Sequence, residues 1–149
     1  MSYDELRKGR YSEPGREYLV TAVSHQRRPV FRSFEASRLL VSELRHLEDE
    51  GKVVWLAWVV MPDHLHGLMS LTGIVTLSAA MNDLKGRSAR AINSLLGCKG
   101  AVWQPGFHDH ALRHEEDRLA TARYIVANPL RAGLAESLSD YPHWDSIWL

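Results

Sequence analysis

Residues 52–71 read KVVWLAWVVMPDHLHGLMSL, and this stretch decides the fold. Its first half is apolar enough for a strand that is buried on both faces. Its second half, residues 64–71, alternates as a strand with one exposed face does. Pro62 and Asp63 lie between the two halves and are typical turn residues. The stretch therefore predicts a β-hairpin at the centre of a sheet.

The sequence on either side of this hairpin predicts two further strands and three helices. Gly51 and Gly97 stop the first two helices, and Pro129 ends the third because it disfavours helical geometry at Asn128. The predicted elements are a strand at 17–23, a helix from a cap at Ser33 to about residue 50, a helix from 76 to about 96, a strand at 107–113 and a helix from 115 to about 127. The apolar stripe of the second helix is predicted to be Leu77, Ala80, Met81, Leu84, Ala91 and Leu95.

The order of these elements is β-α-β-β-α-β followed by a helix. This order is typical of the ferredoxin-like, split β-α-β class of α+β folds, in which a four-stranded antiparallel sheet carries helices on one face. The other face is then free to carry a site or to be covered by the third helix. Residues 1–16 are polar and predict an extended N-terminal arm, and residues 136–149 form a C-terminal tail.

The composition indicates one folded domain. The chain has 149 residues, of which 45% are hydrophobic and 24% charged, so it resembles neither a disordered nor a fibrous chain. Its apolar runs are strand-sized, and no membrane span or hydrophobic signal region is expected. Cys98 has no partner for an internal disulfide, so we expect a reducing, cytoplasmic compartment.

The charges balance overall but are distributed unevenly. Eighteen lysines and arginines match eighteen acidic residues, which excludes a strongly basic field over the whole protein. Residues 7–32, however, carry seven basic side chains against two acidic ones, and residues 85–113 carry five against one. This pattern predicts a bounded site for a polyanion, and the alternative is an ordinary solvated surface.

Two pairs of side chains could carry chemistry. His64 and His66 stand two residues apart on a predicted strand, so both imidazoles face one side and could clamp a metal ion. Tyr124 and Asn128 stand four residues apart on the third helix and share a face. The alternatives are that the histidines are ordinary polar residues, that Tyr124 packs in the core and that Asn128 caps the helix.

Taken together, the two pairs favour chemistry on a phosphodiester. A phenol with a pKa near ~10 is a poor nucleophile at neutral pH, and a divalent ion beside it can polarise the phosphate. Two imidazoles and one amide oxygen suit Mn²⁺ and tolerate Mg²⁺. Attack by the tyrosine would form a phosphotyrosine, which conserves the energy of the ester so that the strand can later be rejoined.

Further polar residues lie next to these pairs. Asp63 directly precedes His64 and could orient an imidazole from outside the metal's ligand set. His108 and His110 share a face of the fourth strand, and either could supplement the metal site, contact phosphate or form a site of its own. The alternative for each of these residues is an ordinary polar position at a turn or on the surface.

Two longer motifs resemble a known family. Residues 59–66 (VVMPDHLH) and 122–134 (ARYIVANPLRAGL) are similar to motifs of the REP-associated tyrosine transposases, a branch of the IS200-type single-tyrosine (Y1) HUH transposases. Residues 85–87 (KGR) and 102–104 (VWQ) also fit the pattern of this family. The resemblance runs from the N-terminal arm to about Trp144.

The resemblance implies a single HUH nuclease domain over residues 1–149. His64 and His66 match the metal ligands, Asn128 stands at the third ligand and Tyr124 matches the nucleophile, with Mg²⁺ or Mn²⁺ as the cofactor. The implied activity is cleavage of single-stranded or hairpin DNA at palindromic repeats, through a 5′-phosphotyrosine link that leaves a free 3′-OH. Asp63 departs from the family, which often has Asn there. The implied location is the bacterial cytoplasm, in association with the nucleoid, and the implied state is a monomer, with a homodimer as the alternative.

The resemblance and the basic segments together suggest which side chains contact DNA, with aromatic rings offering stacking surfaces. These residues are Arg7, Arg10, Arg27, Arg28, Lys85, Arg87, Arg90, Trp103, Arg123 and Arg131, while Asp63 and His110 are expected to support the metal ligands. Two other functions remain open. One is a non-catalytic protein that binds hairpin DNA on the same scaffold, and the other is a zinc hydrolase that uses His64, His66, His108 and His110.

Overall fold

The computed structural model describes residues 15–113 and 118–148. Within them, the strands and helices in chain order are β1 Glu17–Val23, α1 Phe34–Asp49, β2 Val53–Met61, β3 His64–Leu71, α2 Leu77–Leu96, β4 His108–Ala111, α3 Arg118–Val126, α4 Asn128–Arg131 and β5 Trp144–Ser146. Single 3₁₀ turns lie at His25–Arg27, Val30–Arg32 and Leu138–Asp140. Most of the predicted N-terminal arm, with Arg7 and Arg10, and the acidic start of the third predicted helix lie outside the described residues.

The strands form one antiparallel sheet in the order β4-β1-β3-β2-β5. The hairpin of β2 and β3 turns at Pro62 and Asp63 as predicted, and β3 is the central strand. The ferredoxin-like α+β prediction is therefore confirmed in its four main strands. β5 is an addition to the prediction: residues 136–149 are more than a tail, because Trp144–Ser146 pair with β2. This pairing covers part of an apolar edge that would otherwise be exposed.

The sheet is covered on both faces. Alternate residues of the strands, such as Val20, Val60 and Leu65, join one core cluster with the buried faces of α1 and α2. The residues between them, such as Val59 and Leu68, pack instead with Ile125 of α3. The third helix thus covers part of the face opposite α1 and α2, which is one of the two outcomes that the sequence left open.

The helix boundaries follow their capping residues. The Ser33 hydroxyl accepts a hydrogen bond from the Ala36 N–H (3.2 Å), and the Thr76 hydroxyl accepts one from the Ala79 N–H (3.1 Å). Gly97 ends α2 with a φ of +64°, a left-handed conformation that favours glycine. No helix in residues 15–113 and 118–148 combines the length and the apolarity that a bilayer span requires.

Two local predictions need correction. The buried stripe of α2 continues from Leu84 through Ser88 and Ile92, whereas Leu95 is exposed and Ala91 only partly buried. Ser88 escaped the prediction because it is polar, yet its hydroxyl accepts a hydrogen bond from the buried indole N–H of Trp103 (3.0 Å). The fourth strand is also shorter than predicted, since only His108–Ala111 pair with β1.

Gly67 of β3 generates a prediction about stability. A Cβ atom at this position would lie 2.9 Å from Cζ3 of Trp55. The Trp55 ring has little freedom to move, because it is buried and its indole N–H donates to the Leu44 carbonyl at 2.9 Å. We expect Gly67→Ala to lower the free energy of unfolding by about 1–3 kcal/mol, measured by urea denaturation.

Gly86→Ala is the matched control for Gly67→Ala. A Cβ atom at residue 86 would meet Nη1 of Arg90 at 3.4 Å, which is the far end of a flexible side chain. Because alanine favours a helix interior, this variant should be as stable as the wild type or more stable by up to about 1 kcal/mol. If both variants lost the same free energy of unfolding, the loss in Gly67→Ala could not be assigned to a clash with Trp55.

Candidate metal and tyrosine site

The two imidazoles lie side by side on the central strand. His64 and His66 point to the same face of the sheet as Val59, which is the face that α3 covers. Their ring centroids are 6.4 Å apart and the rings are nearly perpendicular, at 74°. Both side chains are partly buried, so they are neighbours that remain accessible from one side.

Each imidazole is oriented by a hydrogen-bond partner on its Nδ1 atom. His64 donates from Nδ1 to the Asp63 carboxylate at 2.8 Å. The Nδ1 atom of His66 lies 2.6 Å from Oγ1 of Thr21, which stands directly opposite it on β1. These contacts leave both Nε2 atoms for a metal ion, as in metal sites where a second group orients the ligand. Sequence reasoning missed Thr21, although it is the polar residue facing His66 in the strand register.

The electrostatics favour neutral His66 and ionised Asp63, which are the protonation states that suit a metal site. Burial above all, and then the charges of His64 and Arg131, lowers the pKa of His66 to about 4. Partial burial of Asp63 favours its neutral form, but hydrogen bonds and charges from His64 and Arg27 outweigh burial and lower its pKa. Neutral imidazole is the form that binds metals, and ionised carboxylate is the form that accepts from Nδ1–H.

Tyr124 is the exposed tyrosine among the described residues. Its side chain is 60% exposed on α3, next to Ile125, which anchors that helix to the sheet. Tyr18 is buried in the core. The hydroxyl of Tyr141 donates to the Val60 carbonyl, and burial raises the pKa of Tyr141 to about 12. Of these three residues, Tyr124 alone offers an accessible hydroxyl.

The third helix ends at Val126, close to the predicted end near Ala127, but Asn128 does not leave helical geometry as predicted. The helix is interrupted only at Ala127, whose φ and ψ are still helical (−78°, −4°), and it resumes as α4. Pro129 is tolerated because it lies in the first turn of α4, where its missing N–H is not needed. Asn128 therefore follows Tyr124 by one turn of a nearly continuous helical path.

Arg131 links the tyrosine to the imidazoles. Its guanidinium carbon lies 3.8 Å from the centroid of the Tyr124 ring, a close cation–π contact. The same charge acts on His66, since it contributes to lowering the pKa of that imidazole. Residue spacing could have indicated this contact, because residues seven apart share a helix face, but the predicted helix end near Ala127 hid it.

The side chains present fit a divalent ion that takes two imidazole nitrogens. His64 and His66 would supply their Nε2 atoms, and the amide oxygen of Asn128 is the candidate third donor, so the donor set would be of the N,N,O type. In residues 15–113 and 118–148, no three His, Cys, Asp or Glu side chains cluster closely enough to hold a metal ion. Among the described residues, the third donor proposed for this place is therefore an amide oxygen, that of Asn128.

His108 and His110 do not join this pair. β1 lies between β3 and β4, so His108 is opposite Thr21 on the side away from His66, roughly 10 Å across the sheet. His110 lies opposite Leu19, in a different row of the sheet. Among the described residues, the structure does not bring four imidazoles together as a tetrahedral zinc site would require.

The basic side chains predicted to contact DNA fall on different sides of the sheet. Arg123 and Arg131 are exposed on the side of Tyr124. Lys85, Arg87 and Arg90 lie on α2, which covers the opposite face. The predicted DNA-contacting residues that the structure describes therefore lie on two faces of the sheet, while Arg7 and Arg10 lie outside the described residues.

Several of these cations already have partners within the protein. Lys85 donates to the carbonyls of Gln104 (2.8 Å) and Gly106, and burial lowers its pKa. Arg87 pairs with Glu43 at 2.7 Å, which ties α2 to α1. Arg28 donates to the Ala101 carbonyl at 2.7 Å. These contacts give all three residues a structural role.

Trp103 has a place in the core. Its side chain is 6% exposed, and its ring centroid lies 5.2 Å from that of Phe31. An indole buried in this way contributes to packing and offers little surface for a base to stack on. The sequence could not show this, because an aromatic residue in a Gly- and Pro-rich loop suits either role.

The family of the chain follows from comparison with known proteins. The IS200-like transposase family, described as "Transposase IS200 like", matches residues 15–128, which is more than half of the chain. The chain belongs to this family. The matched range contains both histidines, Tyr124 and Asn128. The family resemblance stated from the two motifs is therefore confirmed.

The chain is similar to curated proteins that are named as REP-associated tyrosine transposases. The chain is 34% identical over 87 residues to the "REP-associated tyrosine transposase" of Escherichia coli (strain K12), a match that covers 58% of this chain and 50% of that protein. The chain thus spans about half the length of this curated relative.

Two solved structures resemble the fold. The structure of a REP-associated tyrosine transposase bound to a REP hairpin gives a TM-score of 0.74 at 26% identity, covering 91% of this chain and 79% of the other. A structure from Deinococcus radiodurans r1 gives a TM-score of 0.57 at 24% identity, covering 77% and 92% of the two chains, and supports the fold alone.

The lowered pKa of His66 generates a prediction about pH. In the metal-free protein His66 should stay neutral down to about pH 4, whereas the unfolded chain binds a proton near pH 6.5. The free energy of unfolding should therefore fall as the pH falls from 6.5 to 4. Histidine NMR signals followed over this range, with His66→Gln to assign the resonance, measure the titration directly.

Denaturation of the two proteins at several pH values completes this test. His66→Gln should lose the part of the pH dependence that His66 contributes. Titration of His66 near its ordinary pKa, or an unchanged pH dependence in the variant, would contradict the account of its burial.

Proposed function

We propose that the protein is a metal-dependent endonuclease and strand transferase that acts on single-stranded or hairpin DNA. The observation that carries the proposal is that α3, which bears the exposed Tyr124, packs on the face of the sheet that carries the two oriented imidazoles. Arg131 stacks on the ring of Tyr124, and its charge also acts on His66. Membership of the IS200-like transposase family supports a reaction on DNA.

The similar proteins support the class of substrate. One solved relative is described as bound to a REP hairpin, and the Escherichia coli relative is named for the same repeats. We therefore propose a hairpin formed by a palindromic repeat as the substrate of this chain, with cleavage in an unpaired segment beside the hairpin.

His64, His66 and Asn128 would hold the cofactor, Mg²⁺ or Mn²⁺. When bound, the ion supplies Lewis-acid polarisation of the scissile phosphate. Asp63 and Thr21 keep the two imidazoles in place by occupying their Nδ1 atoms. Because these orienting groups sit on the hairpin turn and on the neighbouring strand, the site is built on a rigid scaffold.

Tyr124 would act as the nucleophile. Its phenolic oxygen forms a bond to phosphorus while the bond from phosphorus to the 3′ oxygen breaks. The phenolic proton passes to water, and the 3′ oxygen takes up a proton to leave as a hydroxyl. The product is a 5′-phosphotyrosine, and attack on it by a 3′-OH in the reverse sense joins strands again. Arg131, whose guanidinium stacks on the Tyr124 ring, would favour negative charge on the phenolate.

The charge of the protein sets an expectation for DNA binding. Arg123 and Arg131 are exposed on the side of Tyr124, and these are the cations best placed for phosphates at the site. The formal net charge is zero, so attraction must come from such local groups. Binding should therefore be modest and should weaken steeply with added salt.

Replacement of the proposed nucleophile separates catalysis from binding. Tyr124→Phe should bind a labelled hairpin with an affinity within about threefold of the wild type, because one hydroxyl contributes little beside the phosphate contacts. It should form no covalent adduct, since the attacking oxygen is absent. The measurement is incubation with 5′- and 3′-labelled hairpins and Mn²⁺, followed by denaturing gels.

Tyr141→Phe makes the same chemical change at a tyrosine whose hydroxyl is held by the Val60 carbonyl, and it should still form the adduct. Adduct formation by Tyr124→Phe would refute the assignment of the nucleophile. Hairpin binding by the wild type with no nick under any metal condition would instead support the non-catalytic DNA-binding alternative.

Removal of one imidazole tests the metal dependence. His64→Ala should lower Mn²⁺-dependent cleavage by about 100-fold or more, because the phosphate loses its polarising ion. His46→Ala is the matched control, since His46 pairs with Glu50 on α1, in the layer opposite the site. Cleavage at an unchanged rate by His64→Ala, or activity that survives a chelator, would contradict the metal site.

A further inference from the structure

The backbone is strained at residues 26 and 27, in the connection between β1 and α1. Gln26 and Arg27 have φ values of +54° and +51°, and no other described residues besides glycines have a positive φ. The left-handed region is unfavourable for both residue types, so the surrounding structure must impose it. Such strain often lies next to functional groups, and the contacts of Arg27 show what it achieves here.

The strained segment is attached to the hairpin turn that precedes His64. The Ser24 N–H donates to the Asp63 carbonyl at 2.9 Å, and the Phe31 N–H donates to the Pro62 carbonyl at 3.0 Å. Ser24 also donates from its hydroxyl to the Arg28 carbonyl at 2.7 Å, which closes the loop between these anchors. The backbone of residues 24–31 is therefore held in a defined place against the turn.

Arg27, Asp63 and His64 form a chain of contacts. Nη1 of Arg27 donates to Oδ2 of Asp63 at 3.2 Å, and Oδ1 of Asp63 accepts from Nδ1 of His64 at 2.8 Å. The two oxygens of one carboxylate are thus used by two partners. His66 lacks such an arrangement, because its Nδ1 atom faces the neutral hydroxyl of Thr21.

We propose that Arg27 is a positioning residue for the metal site, which acts through the Asp63 carboxylate to fix His64 in its ligand orientation. This inference rests on the proposed metal site, and it gives Arg27 a role other than contacting DNA. The strained backbone at Gln26 and Arg27 serves to bring the guanidinium to Oδ2.

Arg27 has two opposite effects on the affinity for a metal ion. By holding Oδ2, the guanidinium restricts rotation of the carboxylate and keeps Oδ1 directed at His64, which favours metal binding. By its own positive charge it repels a metal ion, although Arg27 is 65% exposed and solvent screens that repulsion. The positioning effect requires Asp63 and the repulsion does not, so the two can be separated by experiment.

The test is a double-variant cycle that measures the affinity for Mn²⁺ alone. Electron paramagnetic resonance of the free ion gives the Kd of the full chain without DNA. We expect Asp63→Ala to weaken binding by about 10-fold or more, and Arg27→Gln by about 3- to 10-fold. In the Asp63→Ala background, Arg27→Gln should change the Kd by less than about twofold or tighten binding, because the route through the carboxylate is gone.

Controls separate positioning from other causes. Arg27→Lys keeps a donor for Oδ2 and should recover part of the lost affinity. Arg45→Gln removes an exposed arginine from α1, on the opposite layer, and should leave the Kd unchanged. A variant that merely loosens the fold would weaken binding equally in both backgrounds, and its unfolding midpoint without metal would fall.

The possible results lead to distinct conclusions. Unchanged Mn²⁺ affinity in Arg27→Gln with weaker hairpin binding would make Arg27 a DNA contact only and would overturn the proposal. The proposal would also be overturned if Arg27→Gln lowered the Mn²⁺ affinity by the same factor with and without the Asp63 carboxylate. If His64→Ala bound Mn²⁺ as tightly as the wild type, the proposed metal site itself would be refuted. This result differs from the two above, which refute only the role of Arg27.

Discussion

The pairing of β3 between β1 and β2 is the constraint on which the site depends. It places His66 opposite Thr21 on one side and Val59 on the other. Since side chains alternate along a strand, a slip of one residue would turn both imidazoles into the core beneath α1 and α2. The apolar residues between and after them, Leu65 and Met69, are fully buried in that core and hold the register.

The site divides its parts between a rigid sheet and a surface helix. The imidazoles and their partners, Asp63 and Thr21, belong to the central strands and the turn of the hairpin. Tyr124 is carried by a short helix that is attached to the sheet through Ile125. In the proposed reaction, the groups that would bind the ion stay fixed, while the group that would form and break a covalent bond is exposed to a nucleic acid.

Sequence reasoning succeeded where local rules decide the structure. The turn at Pro62 and Asp63, the cap at Ser33 and the shared face of the two histidines depend on residues close together in the chain. Alternation along a strand is enough to place both imidazoles on one side. Because these features depend on neighbouring residues, the sequence alone predicts the order of the main strands and helices correctly.

The remaining features depend on contacts between distant segments, which a single sequence does not display. β5 exists because Trp144–Ser146 meet the edge of β2, and Trp103 is buried because it meets Phe31. The side of the sheet that α2 covers determines that Lys85 and Arg87 lie away from the histidines. Likewise, the ion pair of Arg27 with Asp63 joins residues 36 positions apart.

The central claim is that Tyr124 faces a metal ion held by His64 and His66. A crystal structure of the protein with Mn²⁺, in which anomalous scattering locates the ion, tests this claim most directly. The account predicts the ion bound to both Nε2 atoms, with the Tyr124 hydroxyl facing it across a gap that one phosphate group would fill. An ion bound elsewhere, or a Tyr124 side chain directed away from the imidazoles, would contradict it.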